Sequence, residues 1–562
     1  MTALVLVATV VSGLARPSTT MFDTPQLPNL IREYVADKEA LERLHNIEGS
    51  KTRNDRLVKL EQDWERRLDA LDAKKLDFDD SIDAFLFRNH LRKQVRKLEL
   101  EAKKWQEIEP LLPFATTIIE FQEARRRFER VDPEAAAAKL TVLKKHADEL
   151  RKKVESEELK STKPIANRAA KKTLDLATDL GRWAKFHRGY DPLFTWWVDK
   201  PLEEADKALK AYAKALLEKI VGIKEDDRQA IVGLPVGREA LLADLAFEMI
   251  PYSPEELIAM GDKEFAWCEA EMKKASRELG FGDDWKKALE HVKDLHVEPG
   301  KQPELVRELA LEAVEFLKAK DLVTIPPLAE ETWRMEMMPA EAQKTNPFFL
   351  GGETIIVSFP TNEMTHDEKR MSLRGNNRHF ARATVQHELI PGHHLQFFMT
   401  SRYRPYREPF ETPFWTEGWA LYWEMLLWDQ GFAKSPEDRI GMLFWRMHRC
   451  ARIVFSLKFH LGEMSPEECI KFLVEKVGHE PANAEGEVRR SFSGDYPPLY
   501  QIAYMIGGLQ FRALHRELVE SGKMTNRAFH DAILREANIP VAALRAILRK
   551  ELPDGKPWKF GS

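Results

Sequence analysis

Residues 387–396 read HELIPGHHLQ. The stretch opens like the zinc helix of a hydrolase and then departs from it. In the regular motif H-E-x-x-H, two histidines four apart share one helical face, with a glutamate beside the first. Here the i+4 position is Pro391, and the next histidines are His393 and His394. On an unbroken helix i+6 faces away from i, and i+7 faces the right way but lies about 10 Å along the axis, too far to share one ion. Pro391-Gly392 removes a backbone donor and admits unusual torsions. A local bulge or break is therefore expected to return His393 to the place of the second histidine. His393 is favoured because it follows glycine; His394 stays open as the rival ligand, or as a contact behind the metal or to the substrate. The plain alternative is a polar helix that holds several histidines by accident.

A hydrolytic zinc takes three protein ligands and keeps one position open for water, and a carboxylate beside the first ligand takes that water's proton. His387 and Glu388 fit ligand and base. Glu417, in WTEGWALYWE, is the expected third ligand, because a charge at the head of an aromatic, apolar run points inward and needs a partner. Glu424 lies on the same face two turns later and competes with it.

Upstream, RGNN (374–377) reads as a turn ending in a helix cap, Asn376 or Asn377. A helix then starts near Arg378 and carries Phe380, Ala383 and His387 on one face. Before it, GGETIIVSFPTN (351–362) holds the best strand signal, the β-branched run Thr354–Phe359. TIPPLAEETW (324–333) is interrupted by prolines and expected to be extended. From about Leu27 to Lys320, and again after the motif, apolar residues recur three and four apart, helix after helix. ARRRFER and ELRKK alternate with acidic residues and read as solvated helix faces. Neither a repeat nor a low-complexity linker divides the chain. The expectation is a mainly α protein, a large helical body with a small β-sheet beside the zinc-binding helix. Its N-terminal helical region (22–325) and the region carrying the motif (326–562) are expected to form one continuous fold.

Bulk properties agree with a protein able to bury a large core: 562 residues, 43% hydrophobic and 31% charged. A net charge of -5 gives no reason to propose nucleic acid as a partner. Three scattered cysteines, Cys268, Cys450 and Cys469, exclude a disulfide framework and a cysteine-rich zinc site. Residues Ala3–Val11 form an apolar run too short for a bilayer, followed by the small residues Gly13 and Ala15. Residues 1–15 therefore read as an export signal, and the protein as periplasmic or secreted. If Met21 is the true start, the protein is cytoplasmic. No other segment reaches membrane-spanning length, and nothing in the sequence speaks to oligomeric state.

Four blocks carry a family resemblance: RGNNRHFARATVQHELIPGHHLQ, PFWTEGWALYWE, RMHRCARIVFSLKFHLG and EVRRSFSGDYPPLYQIAYMIGG. Together they resemble the bacterial family catalogued as domain of unknown function 885, over roughly residues 330–550. Such proteins look like gluzincin metallopeptidases, largely helical, with a small sheet beside the zinc helix and a long cleft. The resemblance implies His387, His393 and Glu417 as ligands of one zinc per chain and Glu388 as the base. It also implies His460 and Tyr504 as donors to the oxyanion, where charge develops. The chain departs from the family at Ser456, where an aspartate is common, and before Tyr504, which leaves Tyr500 as an alternative donor. The expected activity is hydrolysis of peptide bonds, in short or flexible peptides if the N-terminal helices cover the cleft. Strand Thr354–Phe359 is expected to pair with the peptide, and Arg378 and Arg489 are candidate anchors for its carboxylate. The rival readings are a zinc hydrolase of a non-peptide amide, and a non-catalytic helical binding protein whose structural metal site is closed by a fourth ligand such as His394.

Overall fold

The computed structural model describes residues 27–223, 231–343, 346, 348–492, 496–553 and 556–560. The expected export segment 1–15 and Met21 lie outside them. Helices α1 (Leu27–Leu44), α2 (Lys51–Asp69) and α3 (Phe78–Ile108) open the described chain. Next come α4 (Ala115–Arg126), α5 (Pro133–Glu155), α6 (Lys163–His187) and α7 (Pro192–Ala215). Their starts are written in the sequence. Asp77, Asp132 and Asp191 accept backbone N–H groups as N-caps, and proline occupies the first turn of α5 and α7, where its missing N–H costs nothing.

These seven helices enter two hydrophobic cores. The smaller belongs to α4–α7 and the adjoining ends of the chain, with Leu140, Ala169, Trp183, Phe194 and Leu209 at its centre. The larger joins Ile31, Trp64 and Phe87 of α1–α3 to Trp415, Trp419, Phe444 and Phe511 in the second half of the chain. The rings of Phe87 and Phe410 lie 6.2 Å apart across that join. Buried apolar side chains thus cross residue 325 without a break.

The frame of the second half is made of α8 (Pro254–Glu278), α9 (Gln302–Ala319), α10 (Pro327–Thr332), α11 (Arg378–Glu388), α12 (His393–Thr400), α13 (Pro413–Asp429), α14 (Pro436–His460), α15 (Pro481–Phe492) and α16 (Tyr500–His515). α14 runs through the interior and packs on α8, α11 and α16, so that nearly every one of its side chains is buried. Strands β1 (Arg334–Met337) and β2 (Thr354–Val357) pair in parallel, Arg334 opposite Thr354 and Met337 opposite Val357. The inward residues of β2, Ile355 and Val357, pack with Ala381, Val385 and Leu389 of the motif segment and with Leu305 and Leu309 of α9. The sheet therefore lies beside the helix that carries His387.

One local expectation changes. The stretch expected to be extended at 324–333 holds the short helix α10, because proline in its first turn presets the helical φ. The extended backbone begins only at its end and continues into β1, whose alternation was too short to read. Among the described residues no helix is long and apolar enough to cross a membrane.

Candidate metal centre

α11 begins where Asn377 accepts the N–H groups of His379 and Phe380, and it ends at Glu388. The chain then turns through Leu389–Gly392 and restarts as α12 at His393. The motif is therefore a clean break between two helices. Gly392 N–H donates to the Gln386 carbonyl at 3.1 Å, and His394 N–H to that of Leu389 at 3.1 Å. A Cβ on Gly392 would run into the carbonyl oxygen of His387, so only glycine allows this return. The Pro391 carbonyl accepts from the Trp419 indole at 2.9 Å, which ties the turn to α13. The result sets the rings of His387 and His393 4.9 Å apart, nearly perpendicular.

Glu417 completes the group. Its Oε2 lies 3.6 Å from His387 Nε2 and 3.2 Å from His393 Nε2. One ligand atom from each of the three buried residues falls within 4.8 Å of the others. α13 delivers Glu417 because it crosses α16 in backbone contact: a Cβ on Gly418 would strike Gly507, and one on Gly507 would strike the Phe414 carbonyl. The same crossing brings in Tyr500, whose hydroxyl donates to Glu417 Oε1. Glu417 Oε2 is buried and has no hydrogen-bond partner. A buried carboxylate oxygen facing two imidazole nitrogens is a donor set that suits zinc.

Behind the three lies a second layer. His387 Nδ1 is 2.7 Å from Glu424 Oε1, so the rival for third ligand instead orients the first. The Gln396 amide stands 2.6 Å from His393 Nδ1. Glu388 Oε2 is 4.0 Å from His393 Nε2, in front of the cluster. Burial pushes His387 down, but the neighbouring carboxylates of Glu417, Glu424 and Glu388 outweigh it and lift it to about 9. Burial pushes Glu388 up. Burial would raise Glu417 as well, but the two histidines hold it well below the carboxylate range. Such a concentration of carboxylates around two imidazoles favours a cation.

A cavity of about 300 Å³ opens on this group. Its lining comes from residues 348–504, so the N-terminal helices expected to cover the cleft contribute nothing to its wall among the described residues. A larger cavity of about 1020 Å³, between Tyr252 and Trp558, shares none of these residues.

The structure sorts the expected residues. Tyr504 lines the cavity, its ring 6.1 Å from that of His387 and nearly parallel to it, and burial pushes its hydroxyl up to about 12. Tyr500 lines it too, but its hydroxyl is committed to Glu417. His394 turns away and contacts the Ala329 carbonyl at 2.6 Å. His460 is also elsewhere. It ends α14, about 16 Å of helical rise beyond Arg449, packed beside Phe459 and Phe492, and burial pushes it down to about 4. Arg378 pairs with Glu308 at the surface, Arg489 pairs with Glu485, and neither lines the cavity. The backbone that does line it is Phe348–Gly351, just before the expected strand 354–359. There Leu350 bridges antiparallel to Ile356, and Gly351 lies so close to Glu388 that a Cβ would collide with it.

The sequence reading passed over Arg449, Arg452, Arg490 and Tyr496, which also line the cavity. The signal was present in RMHRCAR: arginines inside an otherwise apolar helix must be buried and need partners.

The sequence pattern of the bacterial family of unknown function DUF885 matches residues 39–548. A search of curated proteins gives no match. Two solved structures share the fold. A candidate lipoprotein of unknown function from Shewanella oneidensis superposes with a TM-score of 0.67 at 16% identity, covering 93% of this chain and 99% of its own. A candidate lipoprotein from Colwellia psychrerythraea gives 0.59 at 15% identity, covering 94% and 99%.

Proposed function

We propose that this chain, which belongs to the DUF885 family, is a zinc-dependent peptidase of the gluzincin kind, its cavity of about 300 Å³ fitting short or flexible peptides. The observation that carries the reading is the buried His387–His393–Glu417 group with an unpartnered Glu417 oxygen and the separate carboxylate of Glu388 beside it. His387, His393 and Glu417 would hold one zinc per chain. When bound, zinc supplies a Lewis acid for the scissile carbonyl and makes a water more acidic than in bulk.

The chain's own groups do the rest. Glu388 takes a proton from the water as its oxygen joins the carbonyl carbon, then gives that proton to the amine as the C–N bond breaks. Tyr504, which lines the cavity, would donate to the carbonyl oxygen as it gains charge, since Tyr500 is occupied with Glu417. Glu424 and the Gln396 amide hold the two imidazoles in orientation. The closed structural-metal reading loses its candidate fourth ligand, because His394 faces the Ala329 carbonyl. Export is proposed from the apolar run Ala3–Val11, and the lipoprotein descriptions of the two similar structures are in keeping with it.

The test is elemental mass spectrometry of the protein purified without added metal, followed by a peptide-library screen with and without chelator. One zinc per chain, lost in His387→Ala, together with chelator-sensitive cleavage supports the reading. No zinc, and no cleavage on adding it, overturns it. Cleavage confined to non-peptide amides in a matched panel would move the enzyme to that class.

A further inference from the structure

α14 presents Trp445, Arg449 and Arg452 to the cavity, spaced four and three apart on one face. Of the six buried arginines among the described residues, five have a carboxylate within 3.1 Å: Arg374, Arg382, Arg407, Arg446 and Arg452. Arg449 is the exception. Only 5% of it is exposed, and its nearest carboxylate, Glu424, is 3.9 Å away and already bonded to His387. Its Nε is buried without a partner, and its guanidinium otherwise meets the rings of Tyr504 at 4.5 Å and Trp445 at 5.2 Å. A guanidinium on the wall of a cavity, desolvated and without a hydrogen-bonded anion, is costly unless a ligand brings one.

Position indicates which anion. Steps of 2.7 and 3.9 Å lead from His387 Nδ1 through Glu424 to Arg449. Adding the width of the imidazole, whose Nε2 faces the metal position, this is within about three residues of extended chain, each about 3.5 Å long. A cavity of about 300 Å³ is at the small end for ligand sites. We propose that Arg449 receives a free carboxylate of the peptide, its C-terminal α-carboxylate, one or two residues beyond the scissile bond, so that the enzyme trims C-terminal residues or dipeptides. The inference rests on the peptidase reading above. The planar fork of arginine matches a carboxylate in two parallel hydrogen bonds, and a capped terminus would leave the guanidinium unpaired, which is how a polar site rejects an analogue.

The experiment compares peptides of one sequence as free acid and as C-terminal amide, with the zinc-loaded full chain. A third arm uses the amide with glutamate as the last residue, and products are read by mass spectrometry. Calorimetric titration of Glu388→Gln with an N-acetyl tripeptide acid and its amide gives a readout independent of turnover. The acid is expected to be favoured about 10- to 100-fold. Arg449→Gln should erase that preference by weakening the acid alone, and Arg449→Lys should restore part of it. Melting curves of both variants separate this from misfolding. Equal cleavage of acid and amide overturns the inference and leaves the peptidase reading standing. Tighter binding of the acid without cleavage of either supports the anchor and overturns the peptidase. Equal binding without cleavage overturns both. If only the glutamate amide matches the acid, the carboxylate class is right and its α-position is wrong.

Discussion

α5 and α14 make a pair. They are 23 and 25 residues long, each starts with a capped proline turn, and each carries a row of basic residues. On α5 one of them, Lys139, reaches Glu120 of α4, but others pair along the helix's own surface: Lys144 with Asp148 at 2.9 Å, Arg151 with Glu155 at 3.3 Å. Exposed pairs of this kind contribute about 0.3–0.5 kcal/mol. On α14 the basic residues reach across to other helices. Arg446 meets Glu264 at 2.6 Å, Arg452 grips Glu487 through two bonds of 2.6 and 2.9 Å, and Arg449 faces the cavity. The difference lies in what stands between the charges. α5 keeps a polar face, whereas Leu443, Met447, Cys450, Ile453 and Leu457 leave α14 no side to turn to water. A basic run is a solvated face in one helix and the wall of a site in the other.

Substitutions at the cavity and on the two helices should differ widely in their cost, and the heaviest falls on the chemistry. Glu388→Gln should lower kcat by about 10²- to 10⁴-fold while zinc content stays unchanged; loss of zinc would place Glu388 among the ligands. Glu487→Ala strands Arg452 in the interior and should cost about 3–5 kcal/mol in denaturant unfolding. A loss below about 1 kcal/mol would put the charges of α14 in the class of those on α5.

The Arg452–Glu487 pair also gives a sign for pH. Burial raises Glu487, but Arg452 outweighs it and holds the carboxyl below its ordinary value. Its stabilisation is then present above the unfolded carboxylate pKa of about 4.3 and lost as pH falls through the lower folded value. Glu487→Gln should remove that acid-side dependence from a melting-temperature profile. Glu424→Gln should weaken zinc affinity about 10- to 100-fold, measured by competition with a chelator, because Glu424 fixes the ring of His387. Asp148→Ala on α5 is the smallest case and should shift unfolding by no more than about 0.5 kcal/mol.

Much of the site was legible from spacing. His387, Glu388 and the Pro391-Gly392 interruption are local, and the geometry of a helix is enough to say that a straight one could not bring His393 to His387. Glu417 could be read from its place at the head of an apolar run. His460 misled because sequence reports helical face and not depth along the axis: it shares a face with Arg449 but lies three turns beyond it. Arg378 and Arg489 misled because a free surface pairing cannot be told from a buried one without knowing which neighbours arrive.

By itself the sequence determined the helical class, the capped starts, the strand near residue 354 and the break inside the motif, since each follows from periodicity or from the covalent restrictions of proline and glycine. Only the tertiary structure decided that His393 rather than His394 faces Glu417, that Glu424 stands behind His387, and that Arg449 lacks an anion. Those facts depend on where separate helices cross, at Gly418 against Gly507 and at Gly441 against His379. A crossing is fixed by the packing of side chains far apart in the chain, which no local pattern records.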